Sequence, residues 1–227
     1  MVLAKIQDSI SAYKKWLQTV QHHPRLYLWE SLQNFQSNWN PDDPDPAGMF
    51  DRSFYNTETR RLWQTEGWYP KRMMMEFWQM DPKTVKLLFD DLFNATKEEE
   101  GRVRRFIFGC DELLLDYKRR NVTTIENNHY HGDYRMIGLY LAFRYPESYA
   151  PYDFPVFQKA LIHLGARDIP MRNDIGRFFK LMRTLTNFLD KDAPLKRLLD
   201  ARLQPKRHFT GKTLMMAADF CYFITKS

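Results

Sequence analysis

The chain has 227 residues, of which 44% are hydrophobic and 15% aromatic, enough to bury a sizeable core. This composition excludes a disordered chain, and no apolar run has the length of a bilayer span, so no membrane partner is expected. The net charge of +6 is unevenly spread: residues 1–100 carry 12 Lys and Arg against 15 Asp and Glu, and residues 101–227 carry 22 against 13. A basic C-terminal half suggests an anionic partner, most commonly nucleic acid; a solvated basic surface is the alternative.

The N-terminal residues have the period of a helix. Apolar residues recur at spacings of three and four from Leu3 to Val20, and Pro24 ends this pattern. A second helix is predicted over RLYLWESLQNFQSNW. The segment NPDDPDPAG follows, and its prolines and aspartates cannot continue a helix. We therefore predict a helical hairpin over 1–39, a linker over 40–47 and a main all-α domain over 48–227.

The main domain is predicted to be helical throughout. MFDRSFYNTETRRLWQTEGW opens it with a helix to about Thr65, and Asp81 with Pro82 marks an N-cap and first turn. We find no internal repeat and no strand-like alternation longer than a few residues. The sequence therefore predicts an all-α fold, an irregular bundle of about ten helices.

One helix stands out within NNHYHGDYRMIGLYLAFRYPESY. Asp133 is positioned to cap a helix over 134–145, and Pro146 ends it. The helix is apolar almost all round, which is typical of a buried central helix. The next helix, VFQKALIHLGA, is predicted to end at Gly165.

The two histidines of this segment, His129 and His131, are spaced so that they could share a metal ion. Asp133 could help, but no Cys or Glu stands at a known ligand spacing. We therefore predict ordinary loop or capping histidines and no metal. Cys110 and Cys221 lie in apolar helical patterns and are interpreted as buried free thiols, with a disulfide between them as the alternative. With an N-terminus that lacks the apolar core of a signal peptide, they favour the cytoplasm.

Signals for catalysis or cofactors are missing from the sequence. FTGKT ends like a phosphate-binding loop, but Lys206 stands where that loop needs its first glycine, and no strand precedes it. There is no G-x-S-x-G, no H-E-x-x-H and no zinc-type pair of cysteines. The sequence favours a protein that is not an enzyme and has no cofactor.

The segment from Ile175 to Leu189 predicts a helix with one apolar face and one basic face. The basic side chains suit a phosphate backbone, and a solvated helix face is the alternative. The basic character continues downstream to residue 207. The candidate nucleic-acid-binding residues are Arg172, Arg177, Lys180, Arg183, Lys206 and Arg207.

Four stretches carry a family resemblance: WYPKRMMMEFWQMDPKTVKLLFDDLF, DELLLDYKRRN, NHYHGDYRMIGLYLAFRYPESYAPYDFPVFQKAL and HFTGKTLMMAADFCYFI. Together they resemble the helical N-terminal region of bacterial AAA+ proteins of the McrB type, over about residues 48–225. Those proteins are the GTPase subunits of modification-dependent restriction systems, and their N-terminal region is often the target-reading module. The middle pattern, YLxFRYPExYxxYxxxxF, is the most specific.

The resemblance implies a DNA-binding target-recognition domain of a restriction or phage-defence system, without its motor. An AAA+ motor or nuclease subunit would be its partner. GTPase activity is not implied, because the phosphate-binding loop is missing here. If such a domain reads a modified base by flipping it, an aromatic pocket must stack that base.

A second hypothesis is a protein-interaction adaptor. The apolar content of YPKRMMMEFW, expected to be exposed, and the acidic N-terminal half would then dock a motor or nuclease subunit.

Overall fold

In a computed structural model, the described residues are 1–55, 60–64, 69–121 and 127–226. These residues form helices and contain no strand, which confirms the all-α prediction. They hold eleven helices of eight residues or more and one single turn, against about ten predicted. The helices are α1 (Leu3–Thr19), α2 (Tyr27–Asn38), α3 (Pro46–Ser53), the single turn α4 (Arg60–Trp63), α5 (Pro70–Met80), α6 (Pro82–Leu92), α7 (Glu99–Arg120), α8 (Arg135–Arg144), α9 (Phe154–His163), α10 (Ile175–Leu189), α11 (Ala193–Asp200) and α12 (Met215–Ile224).

A recurrent cap sets where many of these helices begin. In five helices an aspartate precedes the first turn, and its carboxylate accepts a backbone N–H three residues on. Four of the five also have proline in the first turn, where its missing N–H costs nothing. The prediction at Asp81 and Pro82 is confirmed, with Thr84 as the N–H donor at 3.1 Å.

The last two residues of the predicted 40–47 linker are helical, and the segment after it also differs in detail from the prediction. Asp45 caps α3 and the helix begins at Pro46, because the Asp-Pro pair is a helix start as much as a break. The helix predicted to run to about Thr65 is interrupted: α3 ends at Ser53, and α4 ends at Trp63. Residues 56–59, and Thr65 itself, lie outside the described residues.

Helix α8 lies at the centre of the core, as predicted. It runs from Arg135 to Arg144, one residue shorter at each end than the predicted 134–145, and every residue from Met136 to Phe143 is buried. Asp133 accepts a hydrogen bond from the Arg135 N–H at 3.0 Å. A side chain at Gly138 would place Cβ 2.4 Å from Cβ of Tyr152, so glycine permits the close approach of that residue.

The helices before residue 40 contribute to the same core. Helix α1 packs on α11 and α12, and α2 packs on α3 and α8. Tyr13 and Leu17 of α1 and Leu32 and Phe35 of α2 are buried within one apolar cluster that also contains α8. The division of the chain into a hairpin over 1–39 and a main domain over 48–227 stays a prediction. Packing of the two parts on one another does not test whether each folds independently. No helix among the described residues combines the length and apolar character needed to cross a membrane.

A buried carboxylate joins the two ends of the chain. Asp219 of α12 is 1% exposed, and it accepts hydrogen bonds from the Tyr13 hydroxyl at 2.6 Å and from Arg25 Nε at 3.0 Å. His23 Nε2 lies 3.0 Å from the same carboxylate. Burial, with the neighbouring Asp219 charge, raises the pKa of Tyr13 well above its usual value, so this phenol keeps its proton. The Arg25 guanidinium also lies over the Tyr222 ring, 3.9 Å from its centroid.

We expect Asp219→Asn to lower the free energy of unfolding by about 3 kcal/mol, because it leaves the largely buried Arg25 without its counter-charge. Asp168→Asn is the matched control: it also removes a carboxylate paired with an arginine, but the Asp168 side chain is 83% exposed. It should cost less than about 1 kcal/mol. Urea denaturation of both variants measures the difference, and equal losses would contradict the importance of burial at Asp219.

Candidate nucleic-acid interface

Helix α10 has the two faces that its sequence predicts. Phe178, Leu181 and Leu185 are buried, whereas Lys180 is exposed and Arg177 and Arg183 are partly exposed. The helix packs on α7 and α12, which fixes the direction of its basic side. The three basic residues therefore lie on the side away from the core.

Two of these three residues already have carboxylate partners. Arg177 Nη1 donates to Asp168 Oδ2 at 2.7 Å, and Arg183 Nη1 donates to Glu99 Oε1 at 3.2 Å. Such pairs cancel much of the charge that a phosphate would meet, so the basic face is weaker than the helical wheel indicates.

The other three candidate residues also differ in whether they have a carboxylate partner. Arg207 pairs with Glu30 of α2 at 2.8 Å. Arg172 and Lys206 are exposed and have no carboxylate partner within the described part of the chain. Of the six candidates, Arg172, Lys180 and Lys206 have no carboxylate partner among the residues that the structure describes.

The six residues also have two different sets of neighbours. Those from 172 to 183 precede or lie on α10, beside the start of α7. Lys206 and Arg207 lie between α11 and α12, where the Phe209 N–H donates to the Trp29 carbonyl of α2. A ligand that contacts both groups must therefore reach two separate elements of the fold, as a nucleic-acid backbone can.

Positive charge in this region extends beyond the six candidates. Residues 167–212 carry 12 Lys and Arg against 5 Asp and Glu. Many of these cations are exposed and have no carboxylate partner among the described residues. They are Arg167, Arg172, Lys180, Lys191, Lys196, Arg197, Lys206 and Lys212.

The FTGKT segment borders a cleft of about 380 Å³. Lys196 and Lys212 line it together with Asp190 and Asp200, so the cleft is of mixed charge. No strand precedes this segment among the described residues, and α12 begins only at Met215. The FTGKT segment therefore differs from a nucleotide-binding loop both in sequence and in local structure.

An aromatic cleft of about 210 Å³ lies elsewhere on the surface. Lys86, Asp90, Arg144 and Pro41 also line it. Its aromatic walls are Trp39, Trp78, Phe89, Phe93 and Tyr145.

The rings of this cleft are held in place by one another. Trp78 stacks on Phe89 with centroids 5.7 Å apart, and Trp39 lies 5.1 Å from Phe89. The indole N–H groups of Trp39 and Trp78 are buried and have no acceptor among the described residues. An unpaired buried donor costs free energy, so the two indoles retain hydrogen-bonding capacity that the fold leaves unused.

The sequence contains many aromatic residues that could stack a base, and no pattern in it singles out these five. They come from α5, α6 and the ends of α2 and α8, and no spacing in the sequence connects them. Only the packing of these four helices brings the rings together.

The surface expected for an adaptor is not formed as the sequence suggested. Met73, Met74, Phe77 and Trp78 of YPKRMMMEFW are buried, so the apolar content of this segment belongs to the core. The reason is helical period: α5 turns these side chains inward against α3 and α6.

No known protein family, no curated protein and no solved structure matches this chain. The similarity to McrB-type N-terminal regions remains an expectation that rests on the sequence patterns alone.

If a nucleobase enters the aromatic cleft, it will stack on Trp39 and quench its fluorescence. We expect duplex DNA with one mismatched base to quench the wild-type protein more than matched duplex, because an unpaired base is easier to extrude. Trp39→Phe should remove most of this additional quenching. Trp16→Phe, a partly buried tryptophan of α1, is the control and should leave it unchanged. Undiminished mismatch-dependent quenching in Trp39→Phe would rule out the cleft as the stacking site.

Proposed function

We propose that this chain is a non-enzymatic target-recognition domain that binds DNA in a restriction or phage-defence system. The observation that carries the proposal is the excess of exposed cations within residues 167–212 that have no carboxylate partner in the described part of the chain. Fixed positive charge on a protein surface attracts the phosphate backbone and releases its counterions. Because these cations occur both on α10 and after α11, they suit an extended polyanion better than a small anion.

The ion pairs determine how much each candidate residue is expected to contribute to DNA affinity. Arg172, Lys180 and Lys206 can meet a phosphate without losing a carboxylate partner from the described ranges. Arg177 and Arg183 must exchange Asp168 and Glu99 for a phosphate, so their net contribution is smaller. Arg207 is in the same position with respect to Glu30. The first three therefore carry most of the expected affinity.

Base recognition is assigned in this proposal to the aromatic cleft. The partly exposed ring of Trp39 would stack a base, and the buried rings of Phe89 and Trp78 would hold that ring in place. Arg144 stands at the same cleft and would meet a flanking phosphate, whereas Lys86 would first have to exchange its partner Asp42. This division of labour follows the general pattern in which phosphate contacts position a protein and base contacts specify its target.

The larger system is proposed from the sequence resemblance. An AAA+ motor or nuclease subunit would supply the nucleotide-dependent step, because FTGKT lacks the glycine and the preceding strand that phosphate binding needs. In that arrangement this chain selects the target, and the partner acts on it.

An adaptor that docks a partner subunit is the second candidate function. It is favoured by one observation: Phe108 and Leu115 of α7 are 65% and 48% exposed, and their spacing of seven places them on one face. A module of that kind would show little salt-dependent DNA binding, so the same experiment separates the two functions.

We expect the full chain to bind duplex DNA in fluorescence anisotropy, with log affinity falling linearly as log salt rises. The double variant Lys180→Glu with Lys206→Glu should weaken binding about tenfold or more and reduce the salt slope by about 2. Lys15→Glu with Lys83→Glu changes the net charge equally, on exposed lysines in the acidic half. This control should retain nearly wild-type affinity.

Two outcomes would contradict the proposal in different ways. Equal losses in the two double variants would mean that overall charge, not this region, governs binding. No binding even at low salt would exclude the DNA-binding function and favour the adaptor. A comparison of cytosine-methylated with unmodified duplex then tests the link to modification-dependent restriction, which predicts tighter binding of the methylated duplex.

A further inference from the structure

The loop between α7 and α8 brings its two histidines against a cysteine. His131 is fully buried and His129 is 5% exposed, although both were predicted as ordinary loop or capping residues. Cys110 of α7 is fully buried beside them. One ligand atom from each of the three residues lies within 4.8 Å of the other two. A thiolate with two imidazoles is a donor set typical of zinc.

The hydrogen bond from His129 to Asp111 fixes the ring proton on Nε2 and makes Nδ1 the nitrogen that can bind a metal. His129 Nε2 lies 2.8 Å from Oδ1 of Asp111, which accepts the ring N–H. This is the carboxylate–histidine pairing that orients metal-bound imidazoles and raises their basicity. Nδ1 then carries the lone pair, and its present contact is a backbone N–H, that of His131, at 3.2 Å.

His131 is oriented in a similar way by a backbone carbonyl. Its Nδ1 lies 2.5 Å from the carbonyl oxygen of His129, so the proton resides on Nδ1 and the lone pair on Nε2. Nε2 is 3.0 Å from the Tyr140 hydroxyl. Burial lowers the pKa of His131 to about 3, which keeps this imidazole neutral and able to act as a ligand.

The backbone around the histidines is held in an uncommon conformation. Tyr130 and Tyr134 have φ of 62° and 67°, in the left-handed region that non-glycine residues rarely adopt. Such a conformation persists only where surrounding interactions enforce it. A bond from the loop to α7 through a shared ion would supply that constraint, independently of the donor geometry.

We propose that Cys110 Sγ, His129 Nδ1 and His131 Nε2 bind a zinc ion that fastens residues 127–134 to α7. A water molecule or the adjacent Tyr140 hydroxyl would complete the tetrahedron. Burial raises the pKa of the Cys110 thiol, so binding Zn²⁺ must expel that proton to solvent as the sulfur–zinc bond forms. The thiolate and the Asp111 carboxylate together balance the two charges of the ion.

The test is a cobalt titration of the full-length chain after chelator treatment, with zinc content measured on the untreated protein. Cobalt bound by a thiolate in a tetrahedral site gives a sulfur-to-metal charge-transfer band and strong visible bands. We expect both bands at one equivalent, and zinc should displace them. Cys110→Ala should lose the charge-transfer band, whereas Cys221→Ala, the matched substitution of the other buried cysteine, should retain it.

Two measurements on the wild-type protein, the cobalt spectrum and the zinc content, can overturn the proposal whatever the folding of the variants. Absence of a charge-transfer band, together with protein that contains no zinc, would mean that the histidines form only a hydrogen-bonded network with Asp111 and Tyr140. A band that survives in folded Cys110→Ala would place the thiolate elsewhere. If Cys110→Ala fails to fold, His129→Asn provides the second variant, and it should weaken cobalt binding at least about tenfold.

Discussion

Helix α8 has no polar face, and the rest of the molecule is arranged to cover it. Residues 136–143 are all buried, so every direction perpendicular to the helix must be filled by apolar side chains from elsewhere. Tyr140 shows how this is achieved. Its ring contacts those of Phe54 at the end of α3, Phe89 of α6 and Phe106 of α7, at centroid distances of 5.0–5.9 Å. Its hydroxyl, buried with it, is satisfied by His131.

The burial of α8 also positions the cysteine–histidine cluster and the aromatic cleft. The start of α8 requires the preceding loop to turn into the core, which carries His129 and His131 to Cys110. The end of α8 places Arg144 and Tyr145 at the aromatic cleft. Tyr145 is fixed there by a hydrogen bond of 3.0 Å to the Phe93 carbonyl. Both features are therefore consequences of burying one helix, and substitutions within α8 would disturb both together.

Local sequence signals were sufficient to predict most of the helices. The apolar period, the Asp-Pro starts and the glycine end of α9 involve residues within one or two turns of one another. Gly165 does adopt φ of +67° there, and the Ala166 N–H donates to the Leu161 carbonyl. The boundaries of α8 were correct to one residue for the same reason. The Asp-Pro sequence at 45–46 was ambiguous because it both interrupts one helix and starts another.

Contacts between distant residues could not be predicted in this way. Arg183 was correctly placed on the outer face of α10, but its partner Glu99 is 84 residues away and no local pattern reveals it. Cys110 stands 19 residues before His129, outside the short spacings that identify zinc ligands in sequences. The aromatic cleft draws on four helices. In each case the residue types were visible, and only the fold could show which of them meet.

The cysteine–histidine cluster and the exposed cations depend on different physical conditions, so the two proposals stand or fall separately. Cys110 and His131 are fully buried, and neither can touch a macromolecular ligand. Their effect on any partner must pass through the stability of the loop and α7. The cations of 167–212 are exposed, and their effect is electrostatic and screened by salt. Loss of a metal would therefore change the unfolding transition without changing the salt slope of DNA binding. Loss of surface charge would do the reverse.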